Sequence, residues 1–580
     1  MNKLPDKGLN SGYSTGLKTE VAIIGAGAAG LYTAYRLAAD PTAGRESLDG
    51  SQVQVFEMSG RIGGRLWSVT LPGTEIAAEL GGMRYMDQQM IASTLIETVF
   101  KSELKPIPFP MGSGSKLDIY LRKQRFKESA WVDAQKNNQK LVTNYKLNDC
   151  DAGLDADQLF DKIVYETLMA DPWFSENYRD KVGPLGSHDY FFKLTARDWD
   201  LIKPKLIYNF PGPYKGRKVN DIGFWNLIKD RVSQEGYTFL ADAGGYYSNT
   251  INWNAAEAFP YMVGDFSSGD ATYKTIEGGY DKILLALAKA YLNEAGAEIW
   301  TENRLVGFAR SGHPEFKYEL HFLNTPTNAS WTVYANRIVL AMPRRSLELL
   351  DAASLSLLSG TDPQSFESNL HSVIMEPSLK ILMAFETPWW RKLGMISGHS
   401  VTDLPIRQCY YFGTDKADQH SILLGSYNDM DTVSFWEPLI ADPVKFKSWP
   451  TKLVSAEALA AGEKLPEASA VMVGECVKQL QELHGDAVGV PQPYMAVFCD
   501  WRMDPFGGGY HAWKAGCNVS SVMQAMRKPN AGEDLHVCGE AYSDQQGWIE
   551  GAFCVAELML QKHFRMAWPK WLDSSYYLGW

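Results

Sequence analysis

Residues 18–40 read KTEVAIIGAGAAGLYTAYRLAAD, and this stretch decides the fold. The run Val21–Ile24 is short, apolar and rich in isoleucine and valine, as a buried parallel strand should be. After it comes Gly25-x-Gly27-x-x-Gly30, whose glycines permit a tight turn, a close approach of the backbone to a pyrophosphate, and close helix–strand packing. This glycine spacing is weak on its own, but here a strand precedes it and an apolar helix follows. The stretch predicts the start of a doubly wound sheet that binds a dinucleotide.

The second strand of this unit is predicted at Val53–Phe56, after a polar insertion at 41–52. Glu57 ends this strand, where an acidic side chain accepts hydrogen bonds from the adenosine ribose hydroxyls. It lies further from the glycines than the usual ~20 residues, and the insertion accounts for the excess. An ordinary surface glutamate is the alternative.

Glu57 is followed by Arg61-x-Gly63-Gly64-Arg65. Two cations beside an anionic cofactor make charge-assisted hydrogen bonds. An acid followed by R-x-G-G-R resembles the flavin amine oxidases, in which the second arginine contacts the FAD diphosphate. The resemblance covers 19–110, 270–310, 333–350 and 376–562, and it implies an FAD-dependent oxidoreductase.

The segment Ala78–Arg84, AELGGMR, resembles the loop that runs over the flavin ring in L-amino-acid oxidases. In that subfamily the arginine binds the substrate carboxylate, which simple amine and polyamine oxidases do not need to bind. An arginine fork suits this task because it gives two parallel hydrogen bonds to a planar anion. The resemblance therefore implies that Arg84 selects an amino acid over an amine. A structural salt bridge is the alternative role.

Further matches assign roles by resemblance. Glu277–Tyr280, EGGY, looks like the turn by which the chain re-enters the FAD domain. Leu305 falls on the strand whose backbone meets the adenine, and Tyr427 falls where a tyrosine hydroxyl joins the arginine on the carboxylate. Lys380 falls where the family has a lysine linked through water to flavin N5, although it could be a surface lysine.

The closing motifs of the family also have counterparts here. Trp501 begins W-x-x-D-P-x-G-G-G-Y, and Gly509 stands where monoamine oxidases carry the cysteine that binds flavin covalently. The resemblance thus implies non-covalent FAD. Glu540 would bind the ribityl chain. The helix after Gly547 and Trp548 would point its positive end at the flavin N1–C2=O locus, and Trp548 would line the site beside the substrate amine.

Together these matches give the expected site. The residues expected to carry catalysis are Arg84, Lys380, Tyr427 and Trp548. Those expected to bind substrate are Arg84, Tyr427, Gly547 and Trp548. Those expected to contact FAD are Gly25, Gly27, Ala28, Ala29, Gly30, Glu57, Met58, Arg65, Gly81, Gly82, Met83, Arg84, Leu305, Glu540, Gly547, Trp548, Ile549 and Ala552.

The predicted fold is two-domain α/β: a discontinuous Rossmann-like FAD-binding domain of GR2 type, a mixed α+β substrate domain and a helical insert. Apolar residues at helical spacing between 111 and 265 predict the insert, and alternating stretches from 375 to 500 predict an antiparallel sheet. The FAD-binding domain is expected in three segments, at 1–110, 266–350 and 501–562. The insert is expected between the first two segments at 111–265, the substrate domain at 351–500, and an aromatic tail at 563–580.

Composition narrows the partners. The chain has 580 residues and a formal net charge of −12, which argues against nucleic acid because phosphate binding needs a cationic surface. The same charge could steer cationic substrates. The seven cysteines are scattered without a C-x-x-C pair, so neither a disulfide framework nor a metal site is predicted. Cys538 and Cys554 lie in apolar runs that indicate core packing.

No signal peptide is visible and no run of about 18 apolar residues occurs, so a cytoplasmic protein without a transmembrane segment is expected. The tail MAWPKWLDSSYYLGW is expected to pack on a neighbouring domain or subunit, with peripheral lipid contact as the alternative. Family resemblance implies a homodimer.

The resulting hypothesis is an L-amino-acid oxidase. Arg84 and Tyr427 anchor the carboxylate, a hydride passes from the α-carbon to flavin N5, and water and O₂ complete the conversion to 2-oxo acid, ammonia and hydrogen peroxide. Positioning supplies most of the catalysis, and no histidine is assigned as a base. The alternatives are an amide-forming L-amino-acid 2-monooxygenase and a non-catalytic FAD-binding module. An acidic pocket would favour Lys or Arg as substrate, and an aromatic one would favour bulky apolar side chains.

Overall fold

The computed structural model describes residues 8–42, 47–266, 272–416, 419–451, 453–460 and 465–580. An eight-stranded sheet forms the larger half of the molecule. Its strands, in spatial order, are Leu9–Asn10, Glu298–Trp300, Val53–Phe56, Leu17–Ile24, Ala329–Leu340, Tyr318–Asn324 and Asn303–Arg310, and Leu535–Val537 also pairs with Ala329–Leu340. The strands around Leu17–Ile24 are parallel, as predicted for a doubly wound sheet.

The end of strand Leu17–Ile24, from Val21 on, is buried on both faces because alternate side chains enter different cores. Val21 and Ile23 pack with the helices on one face, including Ile549–Phe564. Ala22 and Ile24 face the other core, which includes Tyr318. The continuous apolar run thus reflects burial on both sides.

A seven-stranded sheet forms the second half. In spatial order its strands are Met495–Asp500, Ser378–Phe385, Ser421–Asp429, Gln408–Thr414, His399–Thr402, Asp118–Leu121 and Gln124–Lys127. Its pairings are antiparallel except for the parallel pair His399–Thr402 with Asp118–Leu121. Smaller pairings join Tyr85–Met86, Tyr273–Ile276 and Pro106–Pro108; Ser68–Thr70 and Ala77–Glu79; Val182–Leu185 and Asp189–Phe192; and Val373–Glu376 and Tyr510–Trp513.

The helices cover both sheets and form a separate layer between residues 130 and 261. They are Ala28–Ala34, Met90–Thr94, Ala130–Lys136, Ala156–Ala170, Pro172–Tyr178, Ala196–Ile202, Phe224–Arg231, Gln234–Ala243, Ala255–Tyr261, Lys282–Leu292, Arg344–Glu348, Ala352–Ser359, Pro363–Leu370, Asp431–Ile440, Ala456–Ala460, Ala470–His484, Val519–Arg527 and Ile549–Phe564. In the portion of the chain that the structure describes, no helix is long and apolar enough to cross a bilayer.

The structure differs from the expected domain order in two places. Residues 118–127, expected within the helical insert, form a hairpin at the edge of the seven-stranded sheet. Helices Ala352–Ser359 and Pro363–Leu370, expected in the substrate domain, bury Leu358 and Leu370 in the core of the eight-stranded sheet. Burial of these apolar side chains therefore moves the change of domain beyond residue 350. The boundary expected at 265/266 adjoins 267–271, which lie outside the described residues.

The aromatic tail packs against the chain's own larger half. Leu572 and Leu578 are buried in the helical core of the eight-stranded sheet, and Trp568 and Trp571 lie against that core. The Trp571 indole Nε1 donates to Asp40 Oδ2 at 3.1 Å. These rings cover a neighbouring domain, which was the first of the two expectations for the tail.

Candidate active site

A cavity of about 410 Å³ lies between the two sheets. Its walls include Ile24 and Phe56 at the carboxyl ends of parallel strands, and Tyr427 of the seven-stranded sheet. This is the edge at which doubly wound sheets bind nucleotides. The cavity is thus in the place predicted from residues 18–40.

The turn at residues 25–30, here called the glycine turn, has positions at which a Cβ atom has no room. Gly25 has a φ of +109°, and a Cβ there would lie 2.5 Å from the Ala341 carbonyl oxygen. At Gly30 a Cβ would lie 1.8 Å from the Gly25 carbonyl oxygen. Gly27 and Ala28 line the cavity at the start of the helix, where the first backbone N–H groups have no partner within the helix.

Glu57 holds the loop that follows it, which contains residues 61–65, against this turn. Its carboxylate accepts hydrogen bonds from Ala26 N at 3.0 Å and from Ser59 N at 2.9 Å. A Cβ on Gly64 would lie 3.1 Å from the Cα of Gly27, so the 61–65 loop passes directly over the turn. At Gly64, whose φ is +58°, this approach favours glycine, whereas a Cβ on Gly27 would make an ordinary contact of 3.7 Å with the Gly64 Cα.

The two arginines of this loop have different tasks. Arg61 turns inward, donating to the carbonyls of Gly64 and Leu66, and it lies 4.6 Å from the ring centroid of Trp67. Arg65 lines the cavity and donates from Nη2 to Glu540 at 2.9 Å. Both arginines line the cavity, but Arg61 also shapes the loop through its carbonyl contacts, whereas Arg65 is paired with Glu540.

Glu540 is ionised although it is buried. Burial acts to raise its pKa, but Arg65 and then His511 outweigh burial and lower the pKa to about 2. Its carboxylate also accepts from the backbone N–H of His511 and of Gly547, each at 2.9 Å. Glu540 thereby ties the start of the last helix to the strand at Tyr510–Trp513.

The loop at 79–84 lies over two buried titratable side chains, those of Lys380 and Glu79. Lys380 Nζ donates to the carbonyl oxygens of Gly81, at 2.5 Å, and Glu79, at 3.3 Å. Burial lowers the pKa of Lys380 and raises that of Glu79. Lys380 is 2% exposed and lies behind the loop, outside the cavity lining. The structure thus places Lys380 behind the loop, and its expected role through water stays a prediction.

Arg84 reaches the cavity from this loop and lies among aromatic rings. The carbon of its guanidinium is 4.3 Å from the ring centroid of Tyr273 and 5.3 Å from that of Phe109, and Nη1 is 3.4 Å from Met111 Sδ. Within the described residues no carboxylate forms an ion pair with it, so the structural salt bridge considered above is not formed there. Burial acts to lower the pKa of Arg84, but Tyr410 and Tyr246 outweigh burial and raise it.

A cluster of phenols surrounds the same corner. The hydroxyls of Tyr246 and Tyr410 are 3.2 Å apart, and the Tyr246 and Tyr427 rings meet edge to face at 5.2 Å. Tyr427 and Lys380 are cross-strand partners, with Nζ 4.4 Å from the ring centroid. Phenols beside a half-buried guanidinium provide hydrogen-bond donors and no compensating negative charge.

His399 stacks on Tyr410 with ring centroids 4.8 Å apart. Burial, and then the charge of Arg84, lower the pKa of His399 to about 4. It is therefore neutral near pH 7 and adds no second positive charge to this corner.

Most of the expected site residues meet at one cavity. The expected residues that line it are Gly25, Gly27, Ala28, Ala29, Glu57, Met58, Arg65, Gly81, Gly82, Met83, Arg84, Leu305, Tyr427, Glu540, Gly547, Trp548, Ile549 and Ala552. Lys380 lies behind the 79–84 loop, and Gly30 lies behind the glycine turn. Gly30 acts through packing, since its missing Cβ lets the helix approach Gly25.

Sequence reasoning missed several wall residues, notably Tyr246, Tyr261 and Tyr510. Tyr246 and Tyr261 come from the helical layer. The Trp- and Tyr-rich composition of that segment did not indicate which of its aromatic residues would line the cavity. Tyr510 directly follows Gly509 in the W-x-x-D-P-x-G-G-G-Y motif, so its place in that motif was the available signal.

A second cavity, of about 790 Å³, shares Tyr261, Tyr510 and Trp548 with the first. Its wall includes residues 575–579 of the aromatic tail and the buried ammonium of Lys203. Lys203 Nζ lies 2.7 Å from Glu257 and 3.1 Å from Asp200. Cations and carboxylates contribute to this otherwise largely apolar wall, and the space adjoins the first cavity through three aromatic residues.

Comparisons with known proteins agree with this architecture. Residues 23–91 match the family model of the NAD(P)-binding Rossmann-like domain, and residues 216–444 match that of the flavin containing amine oxidoreductases. Aplysianin-A of Aplysia kurodai is 26% identical over 569 residues, covering 94% of this chain and 90% of its own length. L-amino-acid oxidase 4 of Hebeloma cylindrosporum is 23% identical over 571 residues, covering 95% of this chain and 82% of its own length.

Among solved structures, wild-type putrescine oxidase bound to putrescine superposes with a TM-score of 0.56 at 16% identity, covering 93% of this chain and 98% of the other. A redesigned triple mutant of putrescine oxidase gives a TM-score of 0.58 at the same identity, covering 93% and 97%. At this identity the likeness concerns the fold: a Rossmann-like nucleotide-binding half joined to an amine-oxidase substrate half.

Proposed function

We propose that this chain, which resembles the flavin-containing amine oxidases, is an FAD-dependent L-amino-acid oxidase. The reaction converts an L-amino acid, water and O₂ to a 2-oxo acid, ammonia and hydrogen peroxide. Curated relatives named L-amino-acid oxidase, such as that of Hebeloma cylindrosporum, support this choice. The remaining support comes from the residues around the cavity.

The residues present fit FAD. Backbone N–H groups at Gly27 and Ala28 and the cation of Arg65 suit a diphosphate, and the Glu57 carboxylate suits ribose hydroxyls. A Cβ on Gly509 would lie 2.0 Å from Ser378 Oγ, so a cysteine at this position requires the Ser378 side chain to move. This crowding supports non-covalent binding. When bound, FAD supplies the two-electron acceptor that later passes its electrons to O₂.

Arg84 carries the assignment to an amino acid. A half-buried guanidinium at the cavity wall, surrounded by phenols and without a carboxylate partner among the described residues, is an anion site. The α-carboxylate of the substrate would complete it, with the Tyr427 hydroxyl as a further donor. An amine without a carboxylate would leave this cation uncompensated.

The other walls orient the substrate. Trp548 and Tyr510 line the same cavity as the 79–84 loop, so they offer an aromatic surface to a substrate whose carboxylate is held by Arg84. Lys380 supports this arrangement from behind by holding the Gly81 carbonyl. Its contribution is to position the loop from which Arg84 projects.

Anaerobic mixing of the flavin-loaded protein with each of the twenty L-amino acids tests the proposal. The corresponding D-amino acids and decarboxylated amines are the controls. We expect bleaching of the flavin by some L-amino acids, and hydrogen peroxide and ammonia after air is admitted. Bleaching followed by carbon dioxide without peroxide would instead identify an amide-forming monooxygenase. Bleaching by amines alone would refute the role of Arg84.

A further inference from the structure

A hydrogen-bonded chain leads out of the cavity from Tyr510. The Tyr510 ring lines the cavity, and its hydroxyl is hydrogen-bonded to Ser248 Oγ. Ser248 in turn donates to Asp429 Oδ2 at 2.6 Å. Ser248 is 4% exposed and Asp429 1% exposed, so the chain ends at a carboxylate buried away from solvent.

The backbone brings these groups together from three distant segments. Tyr510 begins a strand in which it pairs with Glu376, and Asp429 ends a strand in which it pairs with Ser378. Ser248 lies in a single turn of 3₁₀ helix at Tyr247–Thr250. The arrangement thus depends on both sheets and on the helical layer.

Two carboxyl groups share this buried place, and they differ in partners. Asp429 accepts from Tyr247 N and Ser248 N, each at 3.0 Å, as well as from the Ser248 hydroxyl. Glu376 Oε2 is buried without a hydrogen-bond partner in the described structure. Two adjacent buried carboxyls resist joint ionisation, and the three donors on Asp429 favour Asp429 as the ionised member, whereas burial and then Asp429 raise the pKa of Glu376 well above its usual value.

We propose that Asp429 accepts the proton that the substrate ammonium must lose, and that Tyr510 and Ser248 carry the proton to it. This proposal rests on the proposed function. The substrate N–H bond breaks as the proton binds Tyr510 Oη. The Tyr510 proton moves to Ser248 Oγ, and the Ser248 proton moves to Asp429 Oδ2. The products are a neutral amine and a neutral carboxylic acid.

This transfer supplies what oxidation requires. The nitrogen lone pair must be free so that a C=N bond can form as hydride leaves the α-carbon. An ammonium and a carboxylate are both costly in a buried site, so exchanging them for two neutral groups is favoured there. Burial, and then Glu376, raise the pKa of Tyr510 well above the usual value. Tyr510 therefore passes the proton on and does not remain ionised.

Other charged and titratable groups face the chain and bear on its pH dependence. The Arg407 guanidinium favours the ionised form of Asp429, whereas burial raises the pKa of Asp429. Tyr261 and Tyr427 face Tyr510, and Glu540 faces Glu376. Of these neighbours, Glu540 stays ionised because Arg65 and His511 outweigh burial.

The test measures anaerobic flavin reduction by stopped flow from about pH 6 to about pH 10. The substrate is the L-amino acid that reduces the wild type fastest. Ser248→Ala breaks the chain yet leaves Asp429 its two backbone donors, and Tyr510→Phe breaks the first link. Tyr208→Phe is the matched control, since it removes a buried tyrosine hydroxyl bonded to Asp230 in the helical layer. Flavin content and thermal unfolding verify the fold of each variant.

We expect Ser248→Ala and Tyr510→Phe to slow reduction about 10²-fold near neutral pH and to approach the wild-type rate at high pH, where the substrate arrives as a neutral amine. A deficit that is equal at every pH, or a wild-type rate for Ser248→Ala at neutral pH, would overturn the relay. If no L-amino acid reduces the wild type, the proposed function fails. The relay is then tested with an amine that reduces the flavin of the wild type, because the ammonium of an amine must lose the same proton.

Discussion

One end of the cavity is walled by backbone, at Gly25, Gly27 and Gly64, whereas the other end is walled by side chains, at Arg84 and Tyr427. The first, here called the glycine end, comes mostly from one continuous stretch. The second, the tyrosine end, gathers residues from the 79–84 loop, the helical layer and the seven-stranded sheet. The shape of the glycine end depends on the absence of side chains at its glycines. The chemistry of the tyrosine end depends on the side chains that line it. Substitutions at the two ends should therefore fail in different ways.

The largest effect is expected at Gly30. Gly30→Ala places a Cβ 1.8 Å from the Gly25 carbonyl oxygen, so the helix must separate from the strand. A cost above about 4 kcal/mol is expected, with loss of soluble folded protein. Circular dichroism and the yield of soluble protein measure it.

Gly27→Ala is the matched comparison, three residues away. Its Cβ meets only the Gly64 Cα at 3.7 Å, an ordinary contact, and its φ of −88° suits alanine. This variant should fold but retain less flavin, because the methyl group faces the cofactor. Equal behaviour of the two variants would contradict the division between packing at Gly30 and ligand approach at Gly27.

The next effect is expected at the tyrosine end. Arg84→Met removes the cation of the anion site while filling similar space, and kcat/KM for L-amino acids should fall about 10²–10³-fold. The fold should not change, because no described carboxylate depends on Arg84, and rates are compared per bound flavin. Peroxide release in steady state measures the effect.

Arg84→Lys separates charge from geometry in the same assay. It keeps the charge and loses the two-pronged donor, so it should fall between wild type and Arg84→Met. The decarboxylated amine of the best substrate should be oxidised equally well by wild type and both variants. A parallel loss on the amine would show that Arg84 serves only the structure of the loop.

The glycine end could be predicted from the sequence because its components are local. A strand, three glycines and a helix fix the turn at 25–30. The role of Glu57 could be predicted once the extra length of the 41–52 insertion was taken into account. The hairpin at 118–127 could not be predicted. Its turn residues Arg122 and Lys123 have φ values of +46° and +66°, and a two-residue turn of this kind is usually signalled by asparagine or glycine.

The tyrosine end was predicted only partly, for a related reason. Arg84 and Tyr427 were found through motifs, whereas Tyr246 and Tyr410 depend on how the helical layer docks on the sheet. A chain with 28 tyrosines gives no local sign of which four meet at one guanidinium. For Lys380, the motif located the strand, but it did not indicate on which side of the 79–84 loop the amino group lies.

A smaller effect is expected where the two ends are joined, at Arg65 and Glu540. The pKa of Glu540 is lowered from 4.5 to about 2. The ionised carboxylate therefore stabilises the fold above about pH 4.5, and this contribution is lost as the pH falls towards 2. Arg65→Met should cost about 1–2 kcal/mol near neutral pH and move the acid transition to higher pH.

Urea unfolding of the two proteins, repeated at decreasing pH, measures this shift. The difference between them should shrink as Glu540 becomes protonated. A constant difference across the acid range would mean that Arg65 stabilises the loop by packing and not through the carboxylate.

The smallest effect is expected from the Tyr427 hydroxyl. Tyr427→Phe keeps the ring against Tyr246 and Lys380 and removes one neutral donor to the substrate carboxylate, which is worth about 1 kcal/mol, or roughly a fivefold rise in KM. Combining it with Arg84→Met tests whether both residues serve one anion. If they bind the same carboxylate, the loss from Tyr427→Phe should shrink in the Arg84→Met background, because the anion is no longer held there. Strict additivity would place the hydroxyl elsewhere on the substrate and reduce the anion site to Arg84 and its other phenol neighbours.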